Sequence, residues 1–248
     1  RNDGKVQLFR PRDNIRRMNN SCDRISIPPI DEDIFFDAMK QLVQLDIDWV
    51  PHEPDTSLYI RPFIFATEPH VGVHASKQYI FSIITSPVGA YYPEGMNPVK
   101  IYVENRDVRT VKGGTGASKT GGNYAATLRA GEEAAKKGFS QVLWLDGINK
   151  KYIEEVGSMN VWFKIDGEII TPPLGGSILP GITRASCIDI LKHWGLSVSE
   201  RLLSIEELIE SMKKGTLEEA WGSGTAAVIS PIGNISYKDR MYSVNEGK

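Results

Sequence analysis

Apolar positions follow a helical period early in the chain and a strand period soon after. Ile34, Phe35, Ala38, Met39, Leu42 and Val43 share one helix face, which predicts a helix from Asp31 to about Leu45. A shorter helix is predicted from Asp13 to Cys22. The runs Leu58 to Phe65 and Gln78 to Ile84 are rich in aromatic and β-branched residues and predict strands. Asn2-Asp3-Gly4 is a two-residue hairpin signal, with Val6 to Phe9 as its return strand. No outgoing strand precedes it, so the sequence is expected to begin inside a fold. Pro87 to Pro98 carries Gly, Pro and Tyr with little periodicity and reads as the loop between two domains.

Strands dominate the rest of the chain. Val99 to Val103 and Val142 to Leu145 are apolar runs, and Asn160 to Ile165, Asp166-Gly167 and Glu168 to Ile170 read as a hairpin with its turn in the middle. Helices are predicted from Asn123 to Lys137, stopped by Gly138, and from Ile182 to Trp194, stopped near Gly195. Ser204-Ile205-Glu206-Glu207 has the form of a capping box and opens a third, to about Lys214. Trp221 to Ala227 reads as a glycine-rich turn before apolar Val228-Ile229. Interspersed helices and strands make the fold α+β.

Composition narrows the function. The 248 residues carry a net charge of −2, which gives no electrostatic reason to expect nucleic acid or an anionic membrane as partner. No uncharged apolar run is long enough to span a bilayer. Cys22 and Cys187 match neither a disulfide nor a metal pattern; Cys187 reads as a buried thiol, and a cytoplasmic setting is expected. His52, His70, His74 and His193 show no metal-ligand spacing, so no metal site is expected.

The candidate chemistry centres on Lys119. It sits between Gly113, Gly114 and Gly116 and the pair Gly121-Gly122, where a lysine is badly placed for packing and well placed to project into a cleft. An amine with a lowered pKa attacks carbonyls to form a Schiff base, the starting point of pyridoxal phosphate chemistry. The phosphate of such a cofactor needs backbone N–H donors at a helix start. Gly181-Ile182-Thr183 and Gly224-Thr225 offer them, although glycines before helices are also common as plain caps. A protonated ring nitrogen needs a carboxylate, for which Glu154 and Glu155 are candidates unless they form a solvated acidic pair. Arg10 is read as ending a strand and able to clamp a phosphate, and Arg61 as facing a substrate carboxylate; either is equally readable as a surface edge-strand arginine.

Four motifs in order carry a resemblance: Ser118 to Tyr124, Glu155 to Asn160, Leu179 to Arg184 and Gly222 to Ala226. Tyr59-Ile60-Arg61-Pro62 and Pro87 to Pro93 add to it. The chain resembles, from Val6 onward, the branched-chain amino-acid aminotransferases, which are class IV, fold-type-IV pyridoxal phosphate enzymes. The resemblance implies two domains. Residues 1–88 form a small α/β domain that lacks its N-terminal part. Residues 89–98 form the interdomain loop. Residues 99–248 form a larger β-barrel-like, cofactor-binding domain with flanking helices, short of its C-terminal end.

It also implies roles. Lys119 is the Schiff-base lysine and proton shuttle, Glu155 the partner of the pyridine nitrogen and Tyr124 that of the phenolic oxygen. Arg10, Gly181, Ile182, Thr183 and Thr225 hold the phosphate. Tyr59, Arg61, Ser158, Thr225 and Ala226 line the substrate pocket. The implied reaction is ping-pong transfer between Leu, Ile or Val and 2-oxoglutarate, with glutamate as the returning donor, in a homodimer. The pocket must accept both apolar side chains and a charged glutamate, which an aromatic wall with one arginine at its edge can do. Where mammalian members carry Cys-x-x-Cys, this chain has Ala227 and Ser230, so no redox switch is expected there. D-amino-acid aminotransferases and aminodeoxychorismate lyases share the lysine, the glutamate and the phosphate cup and are one alternative. An inactive, truncated homologue is the other.

Overall fold

The computed structural model describes residues 4–89, 97–226 and 228–247. The expected turn at Asn2-Asp3, the Tyr91-Tyr92-Pro93 stretch and Ala227 lie outside the described residues. The chain divides into two compact units, Arg1–Pro93 and Glu94–Lys248.

The first unit places two helices on a hairpin. Helix α1 (Pro11–Arg24) starts with a proline in its first turn, where the missing N–H costs nothing. Helix α2 (Glu32–Leu45) is capped by Asp31, whose carboxylate accepts the N–H groups of Asp33 and Ile34 at 3.0 Å. Strands β1 (Ser57–Ala66) and β2 (Tyr79–Val88) pair antiparallel from Ser57 opposite Val88 to Ala66 opposite Tyr79. Buried Ile15, Phe35 and Met39 pack against Ile60, Phe81 and Ile83, with Phe35 and Phe81 edge to face at 4.7 Å. The other period-2 set, Phe63, Phe65, Ile80 and Ile84, stays exposed. Val6 to Phe9 is not a strand. Arg10 turns left-handed (φ 44°) into Pro11, and Leu8 packs onto the helices, so the segment serves as the lead-in to α1.

The second unit is built around a closed sheet. In chain order it contains β3 (Val99–Val103), α3 (Gly121–Ala125), α4 (Leu128–Lys136), β4 (Gln141–Leu145) and β5 (Ile153–Val156). Next come β6 (Met159–Ile165), β7 (Glu168–Thr171), α5 (Ile182–His193) and β8 (Val198–Glu200). It ends with α6 (Ile205–Lys214), β9 (Leu217–Gly224), β10 (Val228–Tyr237) and β11 (Arg240–Ser243). The pairings β10–β3–β4–β5–β6–β9–β10 return to their start, a ring of six strands, while β7, β8 and β11 extend it. The fold-type-IV expectation of a barrel-like larger domain is met. Trp144, Trp162 and Phe163 are fully buried in it, and Trp162 stacks on Trp221 at 5.9 Å.

Local chemistry explains the boundaries. Asp166 and Gly167 both take positive φ (48° and 78°), the geometry a tight two-residue hairpin turn requires. Ser204 accepts the N–H of Glu207 at 3.0 Å. Two expectations are corrected. The single helix from Asn123 to Lys137 is two helices, broken where Thr127 donates from both Oγ1 (2.7 Å) and N (3.0 Å) to the carbonyl of Tyr124. Trp221 to Gly224 belongs to β9, not to a turn. Gly222 is there because a Cβ would meet the Met159 side chain at 2.6 Å. Among the described residues, no helix is long and apolar enough to cross a membrane.

Candidate active site

Lys119 projects from a loop fixed on both flanks. A Cβ on Gly116 would meet the Ser177 carbonyl at 2.2 Å, so only glycine lets the loop lie against that segment. Thr110 Oγ1 donates to the same carbonyl at 2.8 Å, and buried Asn123 donates to the carbonyls of Thr115 and Ser118, each at 2.8 Å. The rigid backbone leaves the lysine side chain exposed, with Nζ donating to the Tyr124 hydroxyl at 3.1 Å.

Glu154 and Glu155 are both buried in β5, so the solvated-pair reading fails. The Ser177 hydroxyl donates to Glu154, whose carboxyl burial pushes up. Glu155 Oε1 accepts the Leu179 N–H at 3.1 Å and the Asn160 side-chain amide at 3.3 Å. Its Oε2 lies 2.8 Å from Arg109 Nε, an ion pair without the alignment of a hydrogen bond. Burial pushes the Glu155 carboxyl up to about 7; Arg109, the Leu179 N–H and the charge of Lys119 oppose that rise.

Asn160 also donates to the Leu179 carbonyl at 3.0 Å, and its Oδ1 lies where a Cβ on Gly181 would sit, 2.2 Å away. It therefore ties Glu155 to the start of α5. That helix opens at Gly181 with no side-chain cap, and Ile182 and Thr183 are buried, so its first N–H groups are of the kind an anion satisfies. Asn160 pairs with Ser223 across β6 and β9. Continued by two residues, that register sets the exposed Ser158 turn opposite the exposed Thr225-Ala226 turn, at one end of the barrel.

Lys119, Tyr124, Glu155, Gly181, Ile182, Thr183, Ser158, Thr225 and Ala226 all belong to the second unit. Arg10, Tyr59 and Arg61 belong to the first. Arg10 does not end a strand; its Nε donates to Asp13 at 2.7 Å. Arg61 lies over the Tyr59 ring at 4.9 Å, two residues along one strand face. The sequence reading missed Arg109, Asn160 and Ser177. Asn160 lies in the Glu155 to Asn160 motif without a role assigned to it there, and Arg109 is a charge between Val108 and Val111. Cys187 is partly exposed rather than buried, and its thiol is pushed up.

The match to the class IV amino-transferase family spans residues 2–235. The chain belongs to this family of pyridoxal phosphate enzymes. Within it, the chain is 61% identical over 246 residues to branched-chain-amino-acid aminotransferase 2 of Bacillus subtilis (strain 168), covering 99% of this chain and 68% of that one. Branched-chain-amino-acid transaminase 1 of the same organism is 53% identical over 247 residues, covering 99% and 69%. The Escherichia coli branched-chain amino acid aminotransferase structure superposes with a TM-score of 0.79 at 30% identity, covering 96% of this chain and 74% of that one. The T.th. branched-chain amino acid aminotransferase with pyridoxamine 5′-phosphate gives 0.80 at 25% identity, covering 96% and 73%. The chain is a member of the branched-chain aminotransferase group. Its residues fit the family's cofactor: an amine beside a phenol, a buried carboxylate, and an uncapped helix start.

The raised Glu155 carboxyl makes a stability prediction for the cofactor-free protein. A carboxyl at about 7 when folded, against an ordinary 4.5, binds its proton more tightly in the folded state. Its stabilising contribution is full below about 4.5 and is lost as pH rises through about 7. Relative to Glu155→Gln, which does not titrate, the wild type should lose on the order of 3 kcal/mol across that window. Urea melts of both proteins from pH 4.5 to 8 check this, and a pH-independent difference would rule it out.

Proposed function

We propose that the protein transfers the amino group of L-leucine, L-isoleucine or L-valine to 2-oxoglutarate, in two half-reactions that share one cofactor site. The observation that supports this reaction is Lys119 Nζ, 3.1 Å from the Tyr124 hydroxyl, in the unit that also holds buried Glu155. The named relatives support the substrate class. Pyridoxal phosphate, when bound, supplies an electron sink for the substrate α-carbon.

The chain supplies the rest. Lys119 would hold the cofactor's carbonyl carbon through its amine and would be the group placed to move a proton at the substrate α-carbon. Tyr124 holds the phenolic oxygen and orients the lysine. Glu155 keeps the ring nitrogen protonated. The N–H groups at Gly181, Ile182 and Thr183, with Thr225 and Arg10, hold the phosphate. Tyr59, Arg61, Ser158, Thr225 and Ala226 select substrate. The same reading makes residues 1–88 and 99–248 the two domains, and makes the enzyme a cytoplasmic homodimer. The exposed apolar face of Phe63, Phe65, Ile80 and Ile84 supports the dimer.

The test is glutamate formation by the pyridoxal phosphate-loaded chain from 2-oxoglutarate, with L-leucine against D-alanine as donor. Turnover with L-leucine alone is the expected result. Turnover with D-alanine in its place would move the chain to another branch of the family, and turnover with neither would refute the reaction.

A further inference from the structure

The β1–β2 connection holds a cluster that the aminotransferase reading leaves unused. Glu68, His70 and His74 each present a ligand atom within 4.8 Å of the others. The cluster forms because the connection doubles back. Thr67 N donates to the Gln78 carbonyl at 3.0 Å, which closes the base of the loop. Gly72 takes φ 110°, a value open to glycine, and reverses the chain midway between the two histidines. Their rings stack at 3.6 Å with an interplanar angle of 24°.

We propose that Glu68, His70 and His74 form a surface site for a divalent transition metal, zinc(II) foremost, with water completing the coordination. The donor set suits that metal. Two imidazoles and one carboxylate are ligands of zinc, whose three-protein-ligand sites keep a fourth position for water. Hydrogen bonds select which atom two of the ligands present. His74 Nδ1 lies 2.9 Å from the Ala75 carbonyl, and donation there leaves Nε2 bare for a metal. Glu68 Oε2 accepts the Lys77 N–H at 2.6 Å, which leaves Oε1 to ligate.

Tetrahedral zinc places its ligand atoms about 3.4 Å apart, so the group must contract by rotation of its side chains. Both histidines are exposed and Glu68 is half-buried, so those rotations meet little obstruction. His70 and His74 sit four apart and Glu68 two before His70, a spacing that gives no sign of a site until Gly72 folds the loop.

Isothermal titration of zinc(II) into the untagged, pyridoxal phosphate-loaded chain in a non-chelating buffer tests the site. One saturable zinc per chain is expected. Glu68→Gln, His70→Ala and His74→Ala should each weaken it by at least about ten-fold, while His52→Ala, outside the cluster, leaves it unchanged. Cobalt(II) in place of zinc should give the visible absorption of a tetrahedral centre, lost in the same variants. Circular dichroism separates loss of a ligand from loss of fold. No saturable zinc up to millimolar concentration overturns the proposal. So does wild-type affinity in any one of the three cluster variants, because the three-ligand site then does not exist.

Discussion

Lys119→Ala is expected to abolish transamination, lowering turnover with L-leucine and 2-oxoglutarate by at least about 10³-fold. The lysine has two tasks in the proposed reaction, covalent attachment and proton transfer, and alanine performs neither. The side chain is exposed, and the loop beneath it is held by Gly116, Thr110 and Asn123 instead. Its loss should therefore change folding stability by no more than about 0.5 kcal/mol. Steady-state rates, together with a thermal melt of the cofactor-free variant, check both halves. An active variant would remove the lysine from the chemistry. An inactive variant with a collapsed melting curve would show that the loss is structural.

What the sequence disclosed was local. Asp31, Ser204 and the Asp166-Gly167 pair each fix an element boundary through their own hydrogen bonds or dihedrals, and each sits where the pattern puts it. Lys119 and Tyr124 meet across one turn of chain, so their spacing alone brings them within reach. What stayed hidden depends on pairing between distant segments. The barrel closes through β6 against β9 and β10 against β3, and no local period reports such partners. Gly222 read as a turn residue because its reason, the Met159 side chain across the strand pair, lies far away in the chain. Val6 to Phe9 has strand composition but pairs with no strand among the described residues, and Pro11 commits the next residues to a helix. The role of Arg109 likewise appears only when β5 brings Glu155 to it.

Glu155→Gln should keep the fold and lose most of the rate. The amide matches the carboxylate in shape and still accepts the Leu179 N–H through its oxygen. It carries no charge, so it cannot favour a protonated ring nitrogen, and turnover should fall on the order of 10²-fold, the scale of one lost preorganised electrostatic contact in a buried site. Glu155→Ala should cost more than rate. It leaves the Leu179 N–H without the acceptor that glutamine keeps and opens a cavity beside buried Arg109, a loss of about 1–3 kcal/mol in stability. The two variants therefore separate the functions of one carboxylate. Glu155→Gln is predicted to melt near the wild type at acidic pH while turning over slowly, and Glu155→Ala to be both slow and unstable. Full-speed Glu155→Gln would take the carboxylate out of the reaction and leave it as the buried partner of Arg109 alone.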